Sequence, residues 1–162
     1  MLRKYWISAM AGALMMAGTA LGGKFGTVVT IGGAAADLAL DEARGVLYVA
    51  NFTANRIDVM SRTTNKIQTS INVAAQPSSI SLSPDGHWLL VAHYGNNTAP
   101  ATPTNALTLI DLTANNAKQT FALGNPPLGV AFGFDKKALV VTTQEFILFD
   151  PLSGKCDADR EV

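Results

Sequence analysis

After the first 25 residues the apolar positions fall into short clusters separated by Gly, Pro, Asn, Asp and Ser. Ile57/Val59, Leu107/Leu109 and Phe146/Leu148 recur at period two, the signature of strands that bury alternate side chains. Val46 to Ala50 and Trp88 to Ala92 are instead continuous apolar runs, which fit strands covered on both faces. Between clusters, Ser83-Pro84-Asp85-Gly86 joins a fixed proline φ, an Asp able to bond its own backbone and a glycine free to take positive φ. It predicts a hairpin. No window after the leader keeps a helical stripe, so the chain reads as all-β.

The clusters repeat. Asp37-Leu38-Ala39-Leu40 followed by Val46-Leu47-Tyr48-Val49-Ala50-Asn51 lines up, 42 residues on, with Ser79-Ile80-Ser81-Leu82 and Trp88-Leu89-Leu90-Val91-Ala92-His93. A further 50 residues reach Gly129-Val130-Ala131-Phe132 and Ala138-Leu139-Val140-Val141-Thr142-Thr143. Asn55 to Met60 matches Asn105 to Ile110 and Gln144 to Phe149, and Ile67 to Val73 matches Ala117 to Leu123. Four short strands per unit at this period match the blade of a β-propeller, roughly 40 to 50 residues. The units fall at about 34–73, 76–123 and 126–155, within a partial propeller at 26–155, and 156–162 reads as a tail. Thr27-Val28-Val29-Thr30-Ile31 aligns with Thr69 to Val73, the outer strand of a blade whose other strands lie elsewhere. The third unit is expected to lack its outer strand, leaving about 2.7 blades. Two explanations stand open: a fragment of a larger propeller, or self-assembly of copies to close the ring.

Leu47-Tyr48-Val49-Ala50-Asn51 resembles the strand motif of the YVTN repeat β-propellers. Pro77 to Gly86 looks like that family's first-strand segment, and Leu107-Thr108-Leu109-Ile110-Asp111-Leu112-Thr113 like its third strand. The sequence departs from the motif at Ala50, which replaces Thr, and at His93 and Thr143, which stand for Asn; these read as strand-end positions tolerant of exchange. The resemblance implies an exported bacterial propeller related to WD-repeat and quinoprotein amine dehydrogenase propellers. It also implies a choice of role, because related propellers include lactonases and non-catalytic subunits of quinoprotein dehydrogenases, with sites at the central channel.

Residues 1–22 form a separate object: Arg3 and Lys4 precede an apolar stretch, Ile7 to Leu21, that ends among small residues. That is the layout of a signal peptide, with cleavage after Ala20 or Gly22. Its 15 residues fall short of the roughly 20 that span a bilayer. The expected location is therefore outside the cytoplasm, periplasmic or extracellular. The lone Cys156 permits no intrachain disulfide, and its neighbours Asp157 and Asp159 disfavour a thiolate. Lys plus Arg and Asp plus Glu number 12 each, so no basic excess points to nucleic acid.

Catalytic chemistry finds little support. His87 and His93 flank one strand, about 20 Å apart at roughly 3.3 Å per residue, too far to share a metal. Asp58, Asp85, Asp111, Asp135 and Asp150 are read at turns or strand edges; Asp111 and Asp150 share a repeat position with Ser61, suited to a side-chain-capped turn. Gly32-Gly33 aligns with the linkers Ala74-Ala75 and Gly124-Asn125 and lacks the spacing of a phosphate loop. One feature exceeds the repeat: the segment Tyr94 to Thr104 is eight residues longer than its counterpart, since the offset grows from 42 to 50 across it. Long loops on rigid scaffolds often bind. The expectation is a non-enzymatic binding scaffold without cofactor or metal, with His93, Tyr94 and Asn96 as candidate contacts to a protein or cell-surface polymer.

Overall fold

The computed structural model describes residues 26–95 and 105–158. They form three four-stranded antiparallel sheets, each in chain order. Blade one comprises β1 (Ala35–Asp41), β2 (Val46–Asn51), β3 (Arg56–Ser61) and β4 (Lys66–Asn72). Blade two comprises β5 (Pro77–Leu82), β6 (Trp88–His93), β7 (Ala106–Asp111) and β8 (Ala117–Ala122). Blade three comprises β9 (Pro127–Phe132), β10 (Ala138–Thr142), β11 (Phe146–Asp150) and β12 (Lys155–Ala158).

The third sheet is complete, which corrects the expectation of a missing outer strand. β12 pairs with β11 from Asp150↔Lys155 to Ile147↔Ala158. Lys-Cys-Asp-Ala alternates only over four residues with two small apolar side chains, too weak a signal for hydrophobic patterning to detect; the backbone ladder bonds define it. Gly154 makes the return possible at φ +66°, with Phe121 so close that an added Cβ would lie 2.9 Å from its ring. Residues 27–31 join none of the three sheets among the described residues; the Ile31 carbonyl accepts bonds from the Asn51 and Arg56 side chains instead.

Strand pairing also moves one part of the repeat by a residue. Leu82 pairs with Leu89, but Phe132 pairs with Ala138, because the third blade's first hairpin is one residue shorter. Ala138 therefore corresponds to Leu89, and Thr142, not Thr143, corresponds to His93 and Asn51. The predicted hairpin at 83–86 forms as the sequence dictates: Gly86 takes φ +68°, and the Ser83 hydroxyl accepts the Trp88 N–H and donates to Asp85.

The core lies between blades. Ala39, Tyr48, Ala50, Ile57, Val59 and Ile71 of blade one close on Ile80, Leu89, Val91 and Ile110 of blade two. Leu90, Ala92, Leu107 and Leu109 of blade two close on Ala138, Val140, Ile147 and Phe149 of blade three. This is why β6 is apolar throughout: its successive side chains face blade one and blade three in turn, both apolar sheets, whereas β2 and β10 meet a neighbouring sheet on one face among the described residues. The first strands meet at the inner edge, where Asp37 accepts the Ile80 N–H and Ser79 hydroxyl (both 2.9 Å) and Ser81 accepts the Phe132 N–H (3.0 Å).

Candidate functional site

His93, the first of the candidate contacts, is fully buried at the end of β6. Its Nδ1 lies 3.1 Å from the Ala75 carbonyl and its Nε2 2.9 Å from the Thr108 hydroxyl. A carbonyl can only accept, so Nδ1 carries the proton and Nε2 accepts from Thr108. Thr108 is in turn 3.3 Å from the Thr120 hydroxyl, giving a relay across three strands that ties blade two to the linker before it. Burial lowers the His93 pKa to about 4, against the opposite pull of the Ala75 and Ala74 carbonyls. Both ring nitrogens are thus spent inside the protein.

The same position in blade one is built from different residues. Asn51 donates to the Asp58 carboxylate (2.8 Å), which also accepts from Arg56 Nε (2.7 Å) and the Ser70 hydroxyl (2.6 Å). Asp58 sits in the middle of β3 and is fully buried, not at a turn or strand edge as expected. Burial alone would raise its pKa, but the bonds from Asn51, Ser70 and Arg56 outweigh it and hold the carboxyl below the ordinary value. Gly33 passes so close to Asn51 that a Cβ there would fall 2.1 Å from its Oδ1. In blade three, Thr142 occupies the position and accepts the Gln144 and Glu145 N–H groups. The motif's variable last residue is therefore an internal brace, satisfied differently in each blade.

Tyr94, the second candidate, is half-buried, and its N–H donates to the Gln76 carbonyl (3.3 Å). Asn96 and the rest of the insertion to Thr104 lie outside the described residues. Where the chain leaves β6, it borders a cleft of about 340 Å³ lined by Phe52, Thr53, Asn55, Ala75 and Gln76. Gln76 takes φ +56°, its N–H is held by the Asn55 side chain (2.9 Å), and its Oε1 is buried without a partner among the described residues. Such an orphan acceptor costs about 1 to 3 kcal/mol unless a donor reaches it. The cleft offers amide groups, a hydroxyl and an aromatic ring but no titratable side chain, a composition suited to binding. Sequence reading passed over Gln76; its position in the linker beside the long loop was the available signal.

The opposite blade end carries further charges. His87 stacks on Trp88 (4.2 Å between rings) and its Nε2 lies 3.2 Å from Asp111, while Lys136 of blade three reaches Asp85 of blade two at 2.8 Å. Asp111 caps its own turn by accepting the Thr113 and Ala114 N–H groups, as Asp150 does for Leu152 and Ser61 for Thr63 and Thr64. The three share the expected turn role. Among the described residues no three His, Cys, Asp or Glu side chains stand together as metal ligands.

Three four-stranded antiparallel sheets, packed face on face with their first strands innermost, are arranged as in solved structures of one architecture. The fold is a β-propeller. This propeller arc superposes on Kuenenia stuttgartiensis hydrazine synthase with a TM-score of 0.67 at 16% identity, covering 83% of this chain and 38% of that one. It matches the Cps50 (Swd1) propeller domain of Myceliophteria thermophila at 0.62 and 13% identity, covering 80% and 39%. The WD40 repeats of RRP9 match at 0.66 and 10% identity, covering 79% and 38%. In sequence, the chain is 32% identical over 106 residues to antigen Lp49 of Leptospira interrogans, a match spanning 59% of this chain and 22% of Lp49. No family model matches the chain.

Proposed function

We propose that this propeller arc is an exported module of YVTN type that binds a protein or cell-surface polymer at the envelope, through the blade end bearing the 94–104 insertion. The observation that carries the reading is a coincidence of place. The one segment that outgrows the repeat leaves β6 beside the cleft whose Gln76 Oε1 lacks a donor among the described residues. The leader-like residues 1–22 support export, and similarity to a protein named as an antigen is in keeping with exposure outside the cytoplasm. The blades act as a rigid frame for this surface; interior relays such as His93–Thr108–Thr120 hold the strand ends from which the loops spring.

The test is retention of labelled full chain on isolated envelope fractions, comparing wild type with alanines across Tyr94 to Thr104 and with Gln76→Leu. Binding lost on loop replacement and weakened severalfold by Gln76→Leu supports the proposal. Undiminished retention in both variants removes it.

A further inference from the structure

The repeat supplies its own control for the cleft beside β6. The N–H of Phe52 donates to the Ala34 carbonyl, that of Tyr94 to Gln76 and that of Thr143 to Pro126, so Ala34, Gln76 and Pro126 hold one linker position in the three blades. Alanine and proline complete the bond with the carbonyl alone. The Gln76 amide is therefore surplus to the fold, and an unfavourable surplus: its residue takes φ +56° and its Oε1 is buried without a donor among the described residues. An unmet acceptor at a position the other blades fill without one needs an explanation outside the blade.

Building on the envelope-binding role above, we propose that the cleft of Phe52, Thr53, Asn55 and Gln76 holds a neutral sugar ring of a surface glycan. The lining carries no titratable side chain, so nothing in it offsets the desolvation of a charged sugar, a phosphate or an acidic peptide. Its polar groups are of both kinds. Asn55 uses its Oδ1 on the Gln76 N–H and keeps Nδ2 as a donor; Thr53 accepts the Ala34 N–H and keeps its hydroxyl hydrogen; Gln76 brings Oε1 as the acceptor. Rotation about the broad terminal torsion of Gln76 lets that oxygen turn to a ligand. Phe52, half-buried, adds an aromatic face whose negative quadrupole attracts the C–H groups of a pyranose ring, while the sugar hydroxyls, each donor and acceptor, meet the amides and the threonine. An extended peptide fits worse. Strand addition needs open backbone groups, and here Ala34, Phe52, Gln76 and Tyr94 already bond to one another or to side chains. At about 340 Å³ the cleft is at the small end of ligand pockets, roughly 300 to 1,000 Å³, and is sized for a short stretch of the glycan.

The experiment measures retention of the labelled full chain on isolated envelope fractions treated with mild periodate, which opens the vicinal diols of sugars, or with protease. Periodate should abolish retention. Loss on protease as well places the sugar on a glycoprotein, and survival of protease places it on a polysaccharide; both support the sugar site. Phe52→Leu should weaken retention about tenfold, and Phe52→Tyr should keep it near wild type. Gln76→Leu should weaken it severalfold with a urea midpoint equal to wild type or higher, because it removes an orphan acceptor and no brace; it carries the test if Phe52→Leu misfolds. Retention that periodate spares, a natively folded Phe52→Leu or Gln76→Leu variant with wild-type affinity, or a Gln76→Leu variant that unfolds more easily would each overturn the sugar assignment while leaving envelope binding in place. No retention on untreated envelopes would remove the envelope-binding reading, and this site with it.

Discussion

His93 couples the stability of this propeller arc to pH. Replacing it with Asn, the residue that fills the same position in blade one, removes the titrating group and keeps a side chain of related polarity. In the folded protein the imidazole is neutral, donates to Ala75, accepts from Thr108 and is fully buried. Its pKa falls from 6.5 to about 4, burial being the main cause. The unfolded chain therefore takes up a proton below about pH 6.5 that the native protein refuses until near pH 4. Stability is whole above 6.5 and drains away as pH falls toward 4. At about 1.4 kcal/mol per pH unit the loss is about 3 kcal/mol. Acidic groups such as Asp58 also lose stabilisation on acidification, so the informative quantity is the difference between wild type and His93→Asn. Urea unfolding of both proteins at one concentration, followed by circular dichroism from about pH 7.5 to about pH 4, measures it. The wild-type advantage should shrink by about 3 kcal/mol over that range. A difference constant within about 0.5 kcal/mol would refute the account of His93 as a desolvated, internally bonded brace.

Three further outcomes follow from the same geometry. Asp58→Ala strips the partner from Arg56, Asn51 and Ser70 at once and should cost about 2 to 4 kcal/mol in urea unfolding, below the full buried-pair value because Arg56 reaches solvent. Gly154→Ala forces a Cβ into the left-handed region and against Phe121; a loss of about 1 to 3 kcal/mol is expected, and an unchanged midpoint would count against the turn that delivers β12. If residues 1–22 direct export, N-terminal sequencing of the chain recovered outside the cytoplasm should begin at Leu21 or Gly23, and a protein retaining Met1 there would contradict the leader reading.

Most of the architecture is legible along the chain. Apolar segments at a period of 42 to 50, the Ser83-Pro84-Asp85-Gly86 turn and the two-sided second strands specify four-stranded blades, because a repeat that cannot cover its own faces must stack on its neighbours. The turn roles of Ser61, Asp111 and Asp150 follow equally from local chemistry. What patterning cannot carry is anything set by pairing across the sheet. β12 escaped it because its strand identity resides in ladder bonds to β11, and the one-residue offset of β10 appeared only when Phe132 was seen opposite Ala138. Asp58 was misplaced for a related reason, and the full burial of His93 at its strand end was not visible along the chain. A charged or titratable residue between apolar ones reads as an edge until its partners on neighbouring strands are known, and Arg56, Asn51 and Ser70, or Thr108 and Ala75, come together only in the folded sheet. The sequence by itself determined the blade and its repetition. The tertiary structure decided which strand-end residues are braces, where among the described residues an acceptor is left without a donor, and which apolar faces stay exposed there, since each depends on contacts between segments far apart in the chain.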